Sequence, residues 1–337
     1  MNATVSSRLP LPREWVQALQ VCPQDIRERL MALSLQTVTR VEEVRLRLGQ
    51  PVQLCGTGLD LFLRGDSGVT TRPEEGLIVQ KEHLQKMLQM STQSSLYAVE
   101  EELRRGFVTV AGGHRVGIAG RAVLSENHSI RTFRDMHALN LRIAREFPGA
   151  SATIAPYVVR ERGGHPHSIL ILSPPQCGKT TLLRDLVRAL STGNILGVPP
   201  QKITVIDERS EIGGTVDGIP QFQLGPRTDV LDGCPKAEGM LMAIRSLSPE
   251  VVVTDEIGRQ EDVQAVLEAT HAGVTVMASA HAGSLEEWQG RPNMMDLFRG
   301  AAFSRYIILS RRRGPGTVER VFNGGGKVVS RGAGDQG

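Results

Sequence analysis

Short apolar runs alternate with helical patterns through the second half of the 337-residue chain. The apolar runs lie at 168–173, 203–207, 251–255, 274–279 and 305–310, and the helical patterns at 179–190, 235–247, 261–272 and 285–300. Apolar strands separated by helices predict an α/β fold with a parallel sheet covered on both faces. Such a sheet binds ligands beyond the carboxyl ends of its strands, so the residues that follow each run are candidates for a site.

The segment after the first run has the layout of a phosphate-binding loop. Ser-Pro-Pro-Gln-Cys-Gly-Lys-Thr-Thr, residues 173–181, joins the predicted strand to a predicted helix. Loop N–H groups and a helix N-terminus attract phosphate oxygens. Gly178 allows close backbone approach, Lys179 reaches the β- and γ-phosphates, and the Thr180 hydroxyl is placed to ligate Mg²⁺. The predicted nucleotide-binding residues are Ser173, Pro174, Pro175, Gln176, Cys177, Gly178, Lys179, Thr180 and Thr181.

The first position of this loop departs from the usual pattern. Ser173 stands where such loops carry glycine, which supplies a tight turn out of the strand. Serine adopts a left-handed backbone only at some strain. A chance match in a Pro-containing loop is the alternative, but the flanking strand and helix favour a nucleotide site.

Acidic residues and a histidine follow three other apolar runs. The sequence Asp207-Glu208-Arg209-Ser210-Glu211 ends and follows one run, Asp255-Glu256 ends another, and His281 follows VTVMASA. In such a pair, one carboxylate holds Mg²⁺ through water and the next orients and deprotonates the attacking water. Each pair alone is equally compatible with capping the next helix. The phosphate-binding loop favours a nucleotide role for at least one pair, and His281 is placed to hydrogen-bond a γ-phosphate.

Composition and the apolar runs limit the classes of protein that this sequence fits. The 39 basic and 36 acidic residues nearly balance, which gives no argument for a nucleic-acid surface. The four cysteines lack C-x-x-C spacing and are expected to be reduced thiols of a cytosolic protein. The N-terminus lacks a signal-peptide pattern, and no apolar run approaches the ~18 residues that span a bilayer. We therefore expect membrane association only through a partner.

The first half of the chain has a different pattern. Residues 12–35 predict one or two short helices, 41–54 two strands and a turn, 55–79 a loop with short strand pieces, and 80–105 two helices. Alternating runs around Gly112-Gly113 predict a hairpin over 107–124, with Arg115 and Arg121 facing outward. Arg142 lies in the next strand-like segment, 130–145.

The Pro-Gly-Ala-Ser segment at 148–151, where the pattern of residues changes, predicts a domain boundary. A helix is predicted after it, at 152–161. The predicted organisation is a flexible leader at 1–11, an α+β domain at 12–148, the parallel-sheet domain at 149–330 and a disordered tail at 331–337. Residues 316–322 and 326–330 are expected to add an edge hairpin to the sheet.

The ordered motifs resemble those of a known family. VEEVRLRLGQPVQL, SSLYAVEEELRRGFVTVAGGHRVGIAGRAV, LNLRIAR, PPQCGKTTLLRDL and VVVTDEIG are similar to the pattern of the stage III sporulation protein AA family, from about residue 41 to 322. That family is related to the type II and type IV secretion ATPases, which carry a Walker A motif, an acidic box, an atypical Walker B motif and a histidine box in this order. The tetracysteine metal motif of type II secretion ATPases is absent from this sequence, which argues against that subset.

The resemblance implies a RecA-like P-loop ATPase domain behind a smaller N-terminal domain, assembled as a homo-hexamer with ATP and Mg²⁺ as ligands. Its implied role is to power or assemble the channel that links mother cell and forespore during endospore formation. The implied location is the mother-cell cytoplasm, peripheral to the outer forespore membrane and docked on membrane proteins of the channel.

The resemblance also implies roles for individual residues. Lys179 and Thr180 would bind phosphate and magnesium, and Asp255 would support the metal through water. Glu256 would be the catalytic base, with Glu208 of the acidic box as the competing candidate.

Four further residues match the catalytic set of the relatives. His281 matches the histidine box. Arg115, Arg121 and Arg142 lie where secretion ATPases draw phosphate-contacting arginines from the N-terminal domain and linker. Domain closure or a neighbouring subunit would then complete the site, because phosphoryl transfer depends mainly on charge stabilisation.

Two other functions remain open from the sequence. A nucleic-acid-dependent motor is one, since the Arg311-Arg312-Arg313 run can contact phosphates, although a basic groove and stacking aromatic residues are missing nearby. A nucleotide-gated scaffold with little hydrolysis is the other, because Ser173 bears on turnover more than on binding.

Overall fold

The computed structural model describes residues 10–93, 99–125, 128, 130–160 and 164–331. Most of the predicted leader (1–11) and of the predicted tail (331–337) lies outside these residues. The chain divides into two compact units, Met1–Arg145 and Glu146–Gly337. The domain bounds given above remain a prediction.

The first unit combines short helices with an antiparallel sheet. Its α-helices are α1 (Arg13–Ala18), α2 (Gln24–Met31), α3 (Leu35–Val38), α4 (Lys81–Ser91) and α5 (Glu100–Arg104). Its strands are β1 (Glu43–Arg47), β2 (Gln53–Gly56), β3 (Leu59–Leu63), β4 (Val69–Thr70), β5 (Phe107–Val110), β6 (His114–Leu124) and β7 (Ile130–Arg142). They form one sheet in the order β4-β3-β2-β1-β7-β6-β5, in which every neighbouring pair is antiparallel.

One apolar cluster fills this unit. Alternate residues of β1, Val44 and Leu46, are fully buried, as the period-2 pattern predicts, and Trp15 and Met87 from the helices join the same cluster. The short strand pieces predicted within 55–79 are present as β3 and β4, which extend the sheet through this segment.

The second unit is a mixed sheet between helices. Its strands are β8 (Ile169–Ser173), β9 (Ile203–Asp207), β10 (Thr228–Asp232), β11 (Val251–Thr254), β12 (Thr275–His281), β13 (Arg305–Ser310), β14 (Thr317–Asn323) and β15 (Val328–Arg331). Its α-helices are α6 (Ala155–Val158), α7 (Lys179–Thr192), α8 (Lys236–Ser246), α9 (Gln260–His271), α10 (Leu285–Gln289) and α11 (Met294–Arg299). The strand order is β10-β9-β11-β12-β8-β13-β14-β15. The first six strands in this order, from β10 through β9, β11, β12 and β8 to β13, are parallel. Strands β14 and β15 add the predicted antiparallel edge hairpin.

Both faces of this sheet are covered. Successive residues of β8 point to opposite faces, so Leu170 and Leu172 join the cluster that contains residues of α8 to α11, and Ile169 and Ile171 join the cluster that contains residues of α7. This arrangement places the carboxyl ends of six parallel strands at one edge, together with the N-termini of α7 and α8.

Three local predictions are wrong. Strand β10 has no counterpart among the predicted strands, because its short edge segment TDVLD is only half buried. The helix predicted at 285–300 is two helices, since Pro292 lacks an N–H to continue a helix and Asn293 has a φ of +70°. The helix predicted at 152–161 is reduced to the four residues of α6 after a 3₁₀ turn, with Pro156 at its start.

Candidate functional site

The loop between β8 and α7 has the predicted strand–loop–helix geometry. Gly178 precedes Lys179, the first residue of α7, with a φ of +86°, and a Cβ atom at Gly178 would lie 3.3 Å from the Gly316 nitrogen. The left-handed backbone therefore favours glycine here, and a Cβ atom would also be tight against the turn at Gly316. The turn after β13 packs on the loop, because Gly316 N–H donates to the Cys177 carbonyl at 2.8 Å and the Arg311 guanidinium donates to Gln176 Oε1 at 3.2 Å.

Ser173 ends β8 without strain. It is fully buried and is not among the described non-glycine residues with positive φ. Its hydroxyl donates to the Pro174 carbonyl at 2.7 Å. The chain therefore leaves the strand here in a conformation that does not require the glycine of the usual pattern.

The Lys179 side chain folds back over the loop. Its Nζ atom lies 3.3 Å from Ser173 Oγ, 3.3 Å from the Pro174 carbonyl oxygen and 3.1 Å from His281 Nδ1. Burial lowers the pKa of Lys179, and the nearby Glu256 carboxylate opposes that shift. The lysine is therefore anchored beside the loop by weak contacts that a phosphate can replace.

His281 joins the loop to the acidic end of β11. Its Nε2 atom lies 2.7 Å from Glu256 Oε1, and the Arg209 guanidinium lies 3.5 Å from Glu256 Oε2. The Glu256 N–H donates to Ser279 Oγ at 3.1 Å, and Glu256 has a left-handed φ of +31°. Such a backbone is costly for a residue with a Cβ atom and is typical of functional positions.

Asp207 in the acidic box has a structural role. Its buried carboxylate accepts N–H bonds from Glu211 at 2.7 Å, Ile212 at 3.0 Å and Gly213 at 2.7 Å. Burial raises the pKa of Asp207, and these N–H donors oppose the shift. The carboxylate thus fixes the loop that carries Glu208.

Arg184 of α7 clamps the same loop from the other side. Its guanidinium donates to the carbonyl oxygens of Ile212 at 2.9 Å and Glu211 at 2.6 Å, and it stacks 3.6 Å from the Phe222 ring centre. The acidic box is therefore tied to the helix that follows the phosphate-binding loop.

Lys236 is a site residue that the sequence reasoning missed. It begins α8, is only 7% exposed, and donates to Glu208 Oε2. Its Nζ atom also lies 3.6 Å from Asp255 Oδ1. Burial alone would raise the pKa of Glu208, but Lys236 outweighs it, so the pKa is lowered. The signal in the sequence is a lysine at the start of a predicted helix. To interpret that signal, β10 must be recognised as the strand before the helix.

Asp255 follows the last residue of β11 and is fully buried. Neither carboxylate oxygen has a hydrogen-bond partner among the described residues. Burial raises the pKa of Asp255 to about 7, against the opposing charge of Lys236. A buried carboxylate without hydrogen-bond donors fits a metal ion or a water bound to one.

Thr180 lies in the first turn of α7, at the same edge of the sheet as Asp255. Among the described residues no cluster of three His, Cys, Asp or Glu side chains has the arrangement of a metal site. Mg²⁺ takes one or two protein ligands and completes its shell with phosphate and water, so Thr180 and Asp255 are sufficient in number to hold it.

The three predicted arginines lie in the first unit. Arg115 on β6 pairs in register with Arg142 on β7, and its guanidinium lies 4.4 Å from the Phe107 ring centre. Arg142 is exposed, 3.6 Å from Glu43, and Arg121 is exposed on β6. Their role toward a phosphate remains a prediction.

Comparison with known proteins identifies the family. The family model described as "Sporulation stage III, protein AA" matches residues 13–329. Stage III sporulation protein AA of Bacillus subtilis strain 168 is 45% identical over 314 residues, which cover 93% of this chain and 96% of that protein. The chain belongs to this family. The resemblance inferred from the sequence motifs is confirmed.

A more distant relative matches part of this chain. The uncharacterized protein ycf45 of Porphyra purpurea is 29% identical over 214 residues, covering 60% of this chain and 34% of that protein. Within the described residues, no helix is long and apolar enough to cross a bilayer.

A solved structure confirms the fold class. The crystal structure of the pilus retraction motor PilT with bound ADP superimposes with a TM-score of 0.52 and 15% identity, covering 84% of this chain and 76% of that one. At this identity the likeness concerns the fold alone. The RecA-like P-loop fold with an α+β N-terminal part, predicted from the sequence, is confirmed.

Proposed function

We propose that this protein hydrolyses ATP. The observation that carries the proposal is the convergence of Lys179, His281 and Glu256 from three separate segments within hydrogen-bonding distance. The lysine at the start of a helix can bind phosphate, and the carboxylate beside it can act as a general base. These two groups are the minimal set for phosphoryl transfer to water. The PilT structure, which shares this fold, contains bound ADP, and this supports a nucleotide as the ligand.

The loop 173–181 would hold the phosphates of ATP through its N–H groups and Lys179. Thr180 and, through water, Asp255 would hold Mg²⁺, which neutralises charge on the phosphate oxygens when bound. Glu256 would orient and deprotonate the attacking water, with His281 fixing the carboxylate at 2.7 Å. His281 would also contact the γ-phosphate once Lys179 has moved onto the phosphates.

The family membership supports a role in sporulation, and the fold supports a motor. We propose that ATP hydrolysis powers or assembles the mother cell–forespore channel, from the mother-cell side of the outer forespore membrane and through membrane-protein partners. A homo-hexamer would let Arg115, Arg121 and Arg142 of the N-terminal domain reach a phosphate by domain closure or from a neighbouring subunit.

The test is ATP turnover by the purified full chain, with and without Lys179→Ala. Lys179→Ala should abolish Mg²⁺-dependent turnover, while Lys202→Ala, an exposed lysine at the opposite end of the sheet, should leave it unchanged. Equal turnover in the wild type and in Lys179→Ala would remove the proposal.

A nucleotide-gated scaffold is the second candidate. It is favoured by the contact of 3.3 Å between Ser173 Oγ and Lys179 Nζ, which a glycine at this position would not make. If that contact holds the lysine away from phosphate, the protein would bind ATP and turn it over slowly.

A further inference from the structure

A buried ammonium group lies between the two acidic segments of the site. Lys236 Nζ donates to Glu208 Oε2 of the acidic box and lies 3.6 Å from Asp255 Oδ1 after β11. The exposed fractions of the side chains are 7% for Lys236, 24% for Glu208 and 0% for Asp255. The three charged groups therefore form one compact ionic cluster that is largely shielded from water.

The position of Lys236 is unfavourable for a cation in itself. It is the first residue of α8, where the helix dipole attracts negative charge and repels positive charge. Burial adds a further cost, because a charged group loses its hydration. The two carboxylates are what stabilise an ammonium group at this place.

The two glutamates that compete for the role of base have different partners. Glu208 is bound by Lys236, and the Arg259 guanidinium lies 3.9 Å from its other oxygen. Glu256 is instead bound by His281, which also contacts Lys179 of the phosphate-binding loop, and its other oxygen lies 3.5 Å from the Arg209 guanidinium, whose side chain is 59% exposed. A carboxylate that accepts from a buried ammonium group is a poor proton acceptor, whereas one paired with an imidazole and a solvent-screened guanidinium beside the loop can accept a proton from water.

We propose that Lys236 is a positioning residue of the nucleotide site. Its ammonium group binds Glu208, so that Glu208 does not act as a base, and it compensates the negative charge of Asp255. Glu256 alone then serves as the base. This inference rests on the proposed ATPase activity and adds to it the residue that keeps the two glutamates in different roles. Without Lys236, the Glu208 carboxylate would be released as a second negative charge beside Asp255, where it repels the triphosphate and competes for its metal.

The first comparison leaves Lys236 intact. Glu256→Gln should lower kcat for ATP by about 100-fold or more, the usual effect of losing a general base. Glu208→Gln should retain kcat within about tenfold of the wild type, because the amide oxygen still accepts a hydrogen bond from Lys236. A Glu208→Gln variant as inactive as Glu256→Gln would overturn the inference.

The second comparison concerns Lys236 itself. Lys236→Met should lower kcat about tenfold or more and also raise the KM for MgATP, and Lys236→Arg should recover part of both losses. The double variant Lys236→Met/Glu208→Gln should exceed Lys236→Met in kcat, because the released charge is gone. Lys202→Met is the matched control at an exposed lysine and should equal the wild type.

The outcomes separate the two proposals. A wild-type protein without ATP turnover overturns the proposed function, and the inference with it. An active wild type in which the double variant is no better than Lys236→Met, or in which Lys236→Arg recovers nothing, overturns the inference alone. Thermal unfolding midpoints show which variants are folded, and the Glu208 and Glu256 comparison decides the matter if Lys236→Met is not.

Discussion

Lys179 Nζ lies 3.1 Å from His281 Nδ1, although 102 positions separate the two residues in the chain. An ammonium group donates and does not accept, so Nδ1 accepts and the proton of the imidazole lies on Nε2, which donates to Glu256. The parallel pairing of β12 with β8 produces the contact, because it sets His281 in register with Ser173. The histidine therefore connects the phosphate-binding loop with the proposed base.

Replacing His281 should impair turnover more than binding. In His281→Ala, Glu256 loses its hydrogen-bond donor at 2.7 Å, and we expect kcat for ATP to fall about 10- to 100-fold with KM changed less than about threefold. Steady-state kinetics with His271→Ala, an exposed histidine at the end of α9, provides the control. A kcat equal to that of the wild type would exclude His281 from the orientation of the base.

Asp255 and Asp207 should respond to the same substitution to different extents. At pH 8 without nucleotide, Asp255→Asn removes a buried charge that lacks hydrogen-bond donors, but the same charge compensates the Lys236 ammonium group at 3.6 Å. These two effects oppose each other, so the free energy of unfolding should change by less than about 1 kcal/mol. Asp207→Asn replaces one of two accepting oxygens by an NH₂ group, so at least one of the three backbone N–H groups loses its acceptor, and the free energy of unfolding should fall by about 2 kcal/mol or more.

Chemical denaturation measures both Asp→Asn variants in the same buffer. Mg²⁺ dependence of nucleotide binding should be weakened in Asp255→Asn although its stability is nearly unchanged. A loss of about 2 kcal/mol or more in Asp255→Asn would mean that its carboxylate serves mainly to compensate Lys236 in the folded protein, and would argue against the metal site.

Asp185 of α7 should stabilise the second unit in a pH-dependent way. Burial alone would raise the pKa of its carboxyl group, but hydrogen bonds from Ser151, Arg188 and Gly149 outweigh it, so the pKa lies below the ordinary value of 3.8. A lowered folded-state pKa adds stability that is fully present above the unfolded value and is lost as pH falls through the folded value.

Asp185→Asn should therefore cost about 2 kcal/mol of unfolding free energy at pH 7. The difference from the wild type should stay constant down to about pH 5 and shrink below the ordinary pKa of 3.8. Urea denaturation at several pH values checks this, with Asp229→Asn on the exposed side of β10 as the control. A cost that does not vary down to pH 3 would show that charge on Asp185 is not the source of the stability.

Ser173→Gly distinguishes the motor from the scaffold. Ser173 is unstrained, and its hydroxyl lies 3.3 Å from Lys179 Nζ, near the long limit of a hydrogen bond. As a motor, the protein should therefore keep its kcat within about threefold after this substitution. A sharp rise in ATP turnover in single-turnover and steady-state assays would favour the nucleotide-gated scaffold instead.

Much of the second unit was predictable from local pattern. Apolar runs such as 169–172 are buried on both sides, which marks a parallel strand, and Gly178-Lys179-Thr180 marks the loop that follows. The rule that ligands bind at carboxyl ends of strands then brings Glu256 and His281 to one edge.

The missed features depend on long-range packing. Lys236 has no motif around it, and its importance arises only because β10 pairs with β9 and brings the start of α8 beside Glu208. A half-buried edge strand such as β10 lacks the continuous apolar run that reveals the central strands. Ser173 was expected to be strained because the comparison with glycine-containing loops ignores the conformation of this loop.

The most direct test of the central claim is a crystal structure of the full chain with Mg²⁺ and a non-hydrolysable ATP analogue. The account predicts phosphates along residues 174–180, Lys179 Nζ moved from His281 onto the β- and γ-phosphates, and the metal held by Thr180 and, through water, Asp255. A triphosphate bound elsewhere, with Lys179 still on His281 and no metal ion near Thr180 and Asp255, would contradict it.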